Sequence, residues 1–158
     1  MRVLLINPAM NMQKLGRFAG LLEPMPPTGL AYIAGALDHH GVTVRAVDMF
    51  ADKLDGQGVV DIAKRFRPDL IGMTVLTPSA PVCEILVGQL KRALPEAKHV
   101  WGAIHAEVFA KEICRDVGVD FCVHGDGEHT IVEIVDAMAD NKNDFSHIDG
   151  LTWRDTDG

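Results

Sequence analysis

Five short, almost wholly apolar runs punctuate this chain: Arg2–Asn7 (RVLLIN), Thr43–Asp48 (TVRAVD), Leu70–Val75 (LIGMTV), His99–Gly102 (HVWG) and Phe121–Val123. Their β-branched, uninterrupted character suits strands buried on both faces of a parallel sheet. A stretch with helical spacing lies between each pair, and another follows the last run. The spacing predicts helices over Thr28–His40, Gly58–Phe66, Pro81–Ala93, Ala106–Asp116 and Glu128–Ala139. On the first, Leu30, Ile33, Ala34 and Leu37 share a face and Gly41 is a natural stop. Gly41, Pro68, Pro95 and Gly118 mark the returns from helix to strand. Parallel neighbours need a crossover, and such crossovers are right-handed. The alternation therefore predicts one α/β domain, a doubly wound, Rossmann- or flavodoxin-like five-stranded parallel sheet.

A chain of 158 residues is about one domain and can bury a substantial core. Its net charge of −7, with no Lys/Arg cluster, excludes a nucleic-acid or anionic-membrane surface. The apolar run near the N-terminus, Val3 to Ile6, is too short for a signal-peptide core or a membrane span. A cytoplasmic location is expected. Cys83, Cys114 and Cys122 are isolated and odd in number, so they read as buried thiols, not as a zinc site or disulfide framework.

In a doubly wound sheet, ligands sit at the carboxyl ends of the strands, so the loops there are the informative ones. The first, Pro8 to Pro27, is about twenty residues long where roughly two to six are usual. Met10, Met12, Leu15, Phe18, Leu21, Leu22 and Met25 make it apolar. It is expected to cover a ligand or to pack as a flap on its own sheet, and Pro27 is placed to open the helix that follows. After the third strand, Thr74-Val75-Leu76-Thr77-Pro78-Ser79 lacks both a receiver domain's Asp and a flavodoxin's phosphate cradle. It leaves a small hydroxyl and a Leu at the sheet edge, suited to a polar heterocycle edge or to a local turn. After the fourth strand, Gly102 and Ala103 remove bulk where backbone must be approached closely, and His105 stands near a helix start. GxGxxG is absent, which disfavours an ordinary dinucleotide fold.

The last loop, VHGDGEHT, spans residues 123–130. Gly125 and Gly127 permit a tight strand-to-helix turn. Glu128 falls in the helix's first turn, where a carboxylate is favoured by the helix dipole and can cap free N–H groups. His124, Asp126 and His129 point in different directions around such a turn and lack the i, i+4 spacing of a helical metal pair. No metal is expected there. The loop reads as a glycine-shaped border to a ligand pocket.

In order, RVLLINP, PPTGLAYIAGALDHHG, the strand ending at Asp48, DLIGMTVLT, GAIHAE, VDFCVHGDGEHT and IDGLTWRDTDG cover essentially the whole chain. Together they resemble the N-terminal cobalamin (B12)-binding domain of cobalamin-dependent radical S-adenosylmethionine enzymes, the methyltransferase and anaerobic magnesium-protoporphyrin monomethyl ester cyclase group. The resemblance implies a cobalamin pocket over the carboxyl edge of the sheet, with the nucleotide tail buried and its base off the cobalt. Thr74 and Leu76 match the small-hydroxyl-x-Leu pair beside the tail. Gly102 and Ala103 match a double-Gly floor, with His105 following. Gly125, Gly127, Glu128 and Thr130 match a Gly-Glu-Gly-Glu-x-Thr turn in which Asp126 replaces the first Glu. The cofactor-binding positions so implied are Pro8, Thr74, Leu76, Thr77, Gly102, Ala103, His105, Gly125, Gly127, Glu128 and Thr130, with no catalytic and no metal-ligating residue.

Two departures matter. Ala103 adds a methyl where the family shows its second Gly. The Asp-x-His-x-x-Gly motif whose His ligates cobalt in other cobalamin domains is absent after the first strand, which implies cobalt without that protein ligand. The Cys-x3-Cys-x2-Cys motif of the 4Fe-4S cluster is missing too. The resemblance therefore implies a cobalamin domain over 1–147, with 148–158 beginning a linker or hairpin towards a radical domain outside this sequence. That domain would carry the cluster and S-adenosylmethionine, and the chain alone would catalyse nothing.

Two other readings compete. A cofactor-free regulatory or interaction module would not need a long apolar first loop or glycines at successive strand ends. A small self-sufficient enzyme using Asp48, His105 or Glu128 as acid–base groups lacks a nucleophile–base pair.

Overall fold

The computed structural model describes residues 1–9 and 25–154. Most of the apolar first loop, including Met10 through Leu22, lies outside the described residues.

The elements run β1 (Arg2–Asn7), α1 (Thr28–His39), β2 (Thr43–Asp48), α2 (Gly56–Phe66), β3 (Leu70–Thr74), α3 (Ala80–Ala93), β4 (Lys98–Gly102), α4 (Ile104–Val108), α5 (Ala110–Glu112), a π-helical turn (Ile113–Val117), β5 (Phe121–Val123), α6 (Glu128–Ala139) and β6 (Leu151–Trp153). The strands form one sheet in the order β2-β1-β3-β4-β5-β6. Neighbours are parallel up to β5, and β6 is antiparallel to β5. The sheet thus has six strands where five were predicted: Leu151–Trp153 follows a Gly150 turn and returns along β5. Strand order reverses between β1 and β3, which places the crevice of a doubly wound fold there.

The period of two along each strand divides the core. Leu4, Ile6, Ile71, Met73 and Trp101 face one side, packed with α2, α3 and the π-helical turn. Val3, Leu5, Leu70, Val100, Phe121 and Val123 face the other, under α1 and α6. Side chains such as Leu4 and Ile6, with no exposure, each contribute about 1.5–3 kcal/mol by burial. β2 departs from the expectation of strands buried on both faces. It is an edge strand, and Thr43, Arg45 and Ala46 are exposed.

The predicted helix over Ala106–Asp116 is broken. Phe109, at φ −115°, ends α4 and stacks against His105 with ring centroids 4.8 Å apart. The chain then widens into the π-helical turn, which Gly118 closes in the left-handed region by donating its N–H to the Ile113 carbonyl at 3.1 Å. Nothing in the apolar periodicity distinguishes that turn from an ordinary α-helix.

Among the described residues Ser79, His99, Asp120 and Thr130 are buried polar groups, and His99 is the most deeply buried of them. His99 on β4 is fully buried, and neither ring nitrogen has a hydrogen-bond partner among the described residues. Burial pushes its imidazole down to about 4, against the pull of Asp120, whose carboxylate accepts the His99 backbone N–H at 2.9 Å.

Candidate functional site

A cavity of about 710 Å³ opens at the carboxyl edge of the sheet, over the β1/β3 reversal, and runs down the face that carries α1 and α6. Strand parity explains its wall. Leu5 pairs with Gly72 and Gly72 with Val100, so these three stand side by side in one row on one face, and Val123 of β5 adds to it. One step nearer the carboxyl ends, Thr74 pairs with Gly102, and Asn7 stands level with Asp48. Leu30 and Ile33 of α1 and Ile131 of α6 form the opposite wall. The lower part is therefore apolar, and polar groups gather at the rim.

The glycines do different things. A Cβ on Gly102 would meet nothing within 4 Å, so this glycine leaves open space at the cavity wall. A Cβ on Gly127 would lie 3.0 Å from Ile33 Cδ1 and 3.2 Å from Val123 Cγ1, so this glycine lets α1 pack against the start of α6. Gly125 has room around it but needs φ of +65°.

Ala103 has φ 72° and ψ 179°, a region that is essentially glycine's own. The methyl that the sequence puts in place of a second Gly therefore costs backbone strain as well as space in the cavity it lines. The strained residue is clamped by its neighbours. Val75 N–H donates to the Gly102 carbonyl at 2.9 Å, His105 N–H to the Val75 carbonyl at 3.2 Å, and Glu107 N–H to the Ala103 carbonyl at 3.1 Å.

Of the implied site residues, Pro8, Thr74, Leu76, Gly102, Ala103, Gly125, Gly127 and Glu128 line this one cavity. Three do not. His105 and Thr77 sit beside the rim, with His105 Nδ1 3.3 Å from Thr77 Oγ1. Thr130, in the first turn of α6, is buried and donates its hydroxyl to the Asp149 carbonyl at 3.3 Å, which secures the loop leading into β6. Glu128 proves to be a wall residue, since no side chain caps the start of α6. His124 turns away towards β6, its Nε2 2.8 Å from Thr152 Oγ1.

Sequence reasoning missed Asn7 and Ser79 as contributors, and met Asp48 only as a strand end and an acid–base candidate. Asn7 donates its amide N–H to Asp48 Oδ2 at 2.9 Å, and Asp48 Oδ1 accepts the N–H groups of Phe50 and Ala51 at 2.9 and 3.0 Å. Both side chains line the cavity. Asn7 was legible in principle, as a polar residue ending a buried strand on the Leu5 face. Ser79 fixes the loop after β3 by accepting the Leu76 N–H at 3.1 Å and donating to the Leu76 carbonyl at 2.9 Å. The inward position of Phe50, in the turn after β2, had no local signal, whereas that of Ile33 follows from the apolar face of α1.

An open-mouthed slot at a switch point, apolar below and polar at its rim, is built to hold a large ligand with one apolar arm and a polar, amide-rich body. A corrinoid fits that description, and Gly102 and Gly125 leave open space beside the backbone at the cavity wall. The chain belongs to the B12-binding domain family, whose model matches residues 18–135. It is 29% identical to the cytidylyl-2-hydroxyethylphosphonate methyltransferase of Streptomyces wedmorensis, over 99% of this chain and 32% of that protein. It is also 29% identical to the anaerobic magnesium-protoporphyrin IX monomethyl ester cyclase of Cereibacter sphaeroides, over 99% of this chain and 26% of that protein. The chain thus spans about a third or less of these relatives. It superposes with a TM-score of 0.80 and 23% identity on the radical S-adenosylmethionine methyltransferase TsrM of Kitasatospora setae, solved with cobalamin and a 4Fe-4S cluster bound, over 99% of this chain and 28% of that one. That likeness is one of fold. The domain is a cobalamin-binding domain similar to those of cobalamin-dependent radical S-adenosylmethionine enzymes. Among the described residues, no helix is long and apolar enough to cross a membrane.

Proposed function

We propose that this chain binds cobalamin base-off, its nucleotide tail inserted between the sheet and α1/α6, and presents the corrin at the carboxyl edge. The observation that carries this reading is the slot itself. It is apolar along Leu5, Gly72, Val100, Val123, Ile33 and Ile131, and it opens at a rim bearing Asn7, Asp48, Thr74 and Glu128. Pro8, Thr74, Leu76, Gly102, Ala103, Gly125, Gly127 and Glu128 hold the cofactor. His105 and Thr77 flank its outer edge, and Thr130 steadies the turn below it. Bound cobalamin would supply methyl transfer, or a cobalt centre that tunes radical chemistry. In the intact cytoplasmic protein a radical domain following this one, with its 4Fe-4S cluster and S-adenosylmethionine, uses that chemistry. The chain alone catalyses nothing.

The test is titration of the chain with hydroxocobalamin, followed by absorbance and by co-elution on gel filtration. Gly102→Leu is the matched variant. Its side chain would grow from a position with open space around it, so the fold is expected to survive while cofactor binding is lost. Retention of cobalamin by the wild type but not by this variant supports the site. Failure of the wild type to retain it favours the cofactor-free module instead.

A further inference from the structure

We infer that the slot selects corrinoids by the lower base of their nucleotide tail, accepting a benzimidazole and discriminating against a purine, an inference that rests on the tail entering this slot. Its lower walls offer nothing to a polar base. Leu5, Gly72 and Val100 form a continuous row, and a Cβ on Gly72 would lie 2.9 Å from Leu5 Cδ2 and 3.5 Å from Val100 Cγ1, so neighbouring methyls already cover that glycine. Backbone N–H and C=O groups of these strands are engaged in the sheet ladder. Across the slot stand Ile33 and Ile131.

On the sheet side of the cavity the polar groups at the rim are mostly committed. Asn7 donates to Asp48, Asp48 accepts two backbone N–H groups, and Ser79 both accepts from and donates to Leu76. Among the described residues, Thr74 is the one hydroxyl on the sheet wall of the cavity whose bonding the protein has not already taken up.

The two bases make different demands. Dimethylbenzimidazole, displaced from cobalt, exposes a single ring nitrogen and is otherwise carbon, so one hydroxyl satisfies it. Adenine in the same place brings an exocyclic amine and additional ring nitrogens. Each polar atom buried without a partner weakens binding. One such atom is expected to cost about tenfold or more in affinity. Adenine is also the weaker cobalt ligand of the two bases. The cost of displacing the base therefore works against the expected order and cannot produce it.

The experiment is an absorbance titration of the 158-residue chain with three aquo-corrinoids: cobalamin, its adenine-based analogue, and cobinamide, which lacks the nucleotide tail. Cobalamin should bind most tightly, with the adenine analogue at least about tenfold weaker. Ile33→Asn, which places an amide on the half-buried helix wall, should narrow that gap by improving the adenine analogue relative to cobalamin. Equal affinity for the two tailed corrinoids, both tighter than cobinamide, would overturn base selection and leave the tail slot standing. Cobinamide binding as tightly as cobalamin, or no corrinoid binding at all, would overturn the tail slot and the inference with it.

Discussion

Replacing Ala103 with glycine should stabilise this chain, although Ala→Gly ordinarily does the reverse. Ala103 sits at φ 72° and ψ 179°, where a Cβ is opposed sterically, and strain of this kind costs of order 1–3 kcal/mol. Glycine relieves it but raises the entropy of the unfolded chain, at a cost of about 0.5–1 kcal/mol. The balance favours Ala103→Gly by about 1 kcal/mol, or roughly 2–4 °C in Tm for a chain of this length. Gly102 is the internal control. Its φ lies outside the left-handed region and a Cβ there meets nothing, so Gly102→Ala should be neutral or stabilising by roughly 0.4–1 kcal/mol. Urea denaturation of wild type and both variants, with m-values compared, measures this directly. A loss of about 1 kcal/mol in Ala103→Gly, the ordinary cost of adding a glycine, would refute the strain argument. Because the Ala103 methyl lines the cavity, the same variant should bind hydroxocobalamin at least as tightly as wild type.

Other consequences follow from the buried groups and the loop contacts. His99 titrates at about 4 when folded and near 6.5 when unfolded, so below about pH 6.5 the unfolded chain binds the extra proton. Stability should therefore fall as pH drops towards 4, by up to about 3 kcal/mol from this group. His99→Leu should flatten that part of the profile in urea melts, and an unchanged pH slope would sink the assignment. Burial raises the Cys83 thiol to about 11, and the hydrogen bond with the neighbouring Cys114 thiol, together with burial, pushes Cys122 up as well. A thiol reagent at pH 8 should label the folded chain far more slowly than the urea-unfolded chain, whereas rapid labelling of folded Cys83 would contradict its burial. Thr130→Val, which removes the hydroxyl bonded to the Asp149 carbonyl, should cost about 1 kcal/mol of stability and leave corrinoid affinity within a few-fold of wild type. Loss of affinity with intact stability would instead put Thr130 in the site.

Most of the parallel sheet was legible because its interior strands are buried on both faces and so write themselves as apolar runs, whereas the edge strand β2 was legible from its β-branched residues alone. Three of the five, Arg2–Asn7, Thr43–Asp48 and Phe121–Val123, match the structure end to end. The resemblance placed a strand or hairpin in the 148–158 tail, but its pairing with β5, which depends on the Gly150 turn, was not legible. The break at Phe109 was hidden because a π-helical turn keeps nearly the same apolar period as an α-helix. The glycines around the cavity were visible as residue types at strand ends. Their separate reasons were not, since open space at Gly102, packing at Gly127 and backbone sign at Gly125 are properties of the folded neighbours. The Asn7–Asp48 bond joins residues far apart in sequence, through the register of β1 and β2.

The most direct test of the central claim is the electron paramagnetic resonance spectrum of cob(II)alamin bound to the uniformly 15N-labelled chain. Tail insertion in the slot takes the cofactor's own base off cobalt, so the cobalt lines should lack the triplet splitting of a coordinated 14N nitrogen. Persistence of that triplet in the bound complex would mean the benzimidazole remains on cobalt, and the slot would then hold something other than the tail.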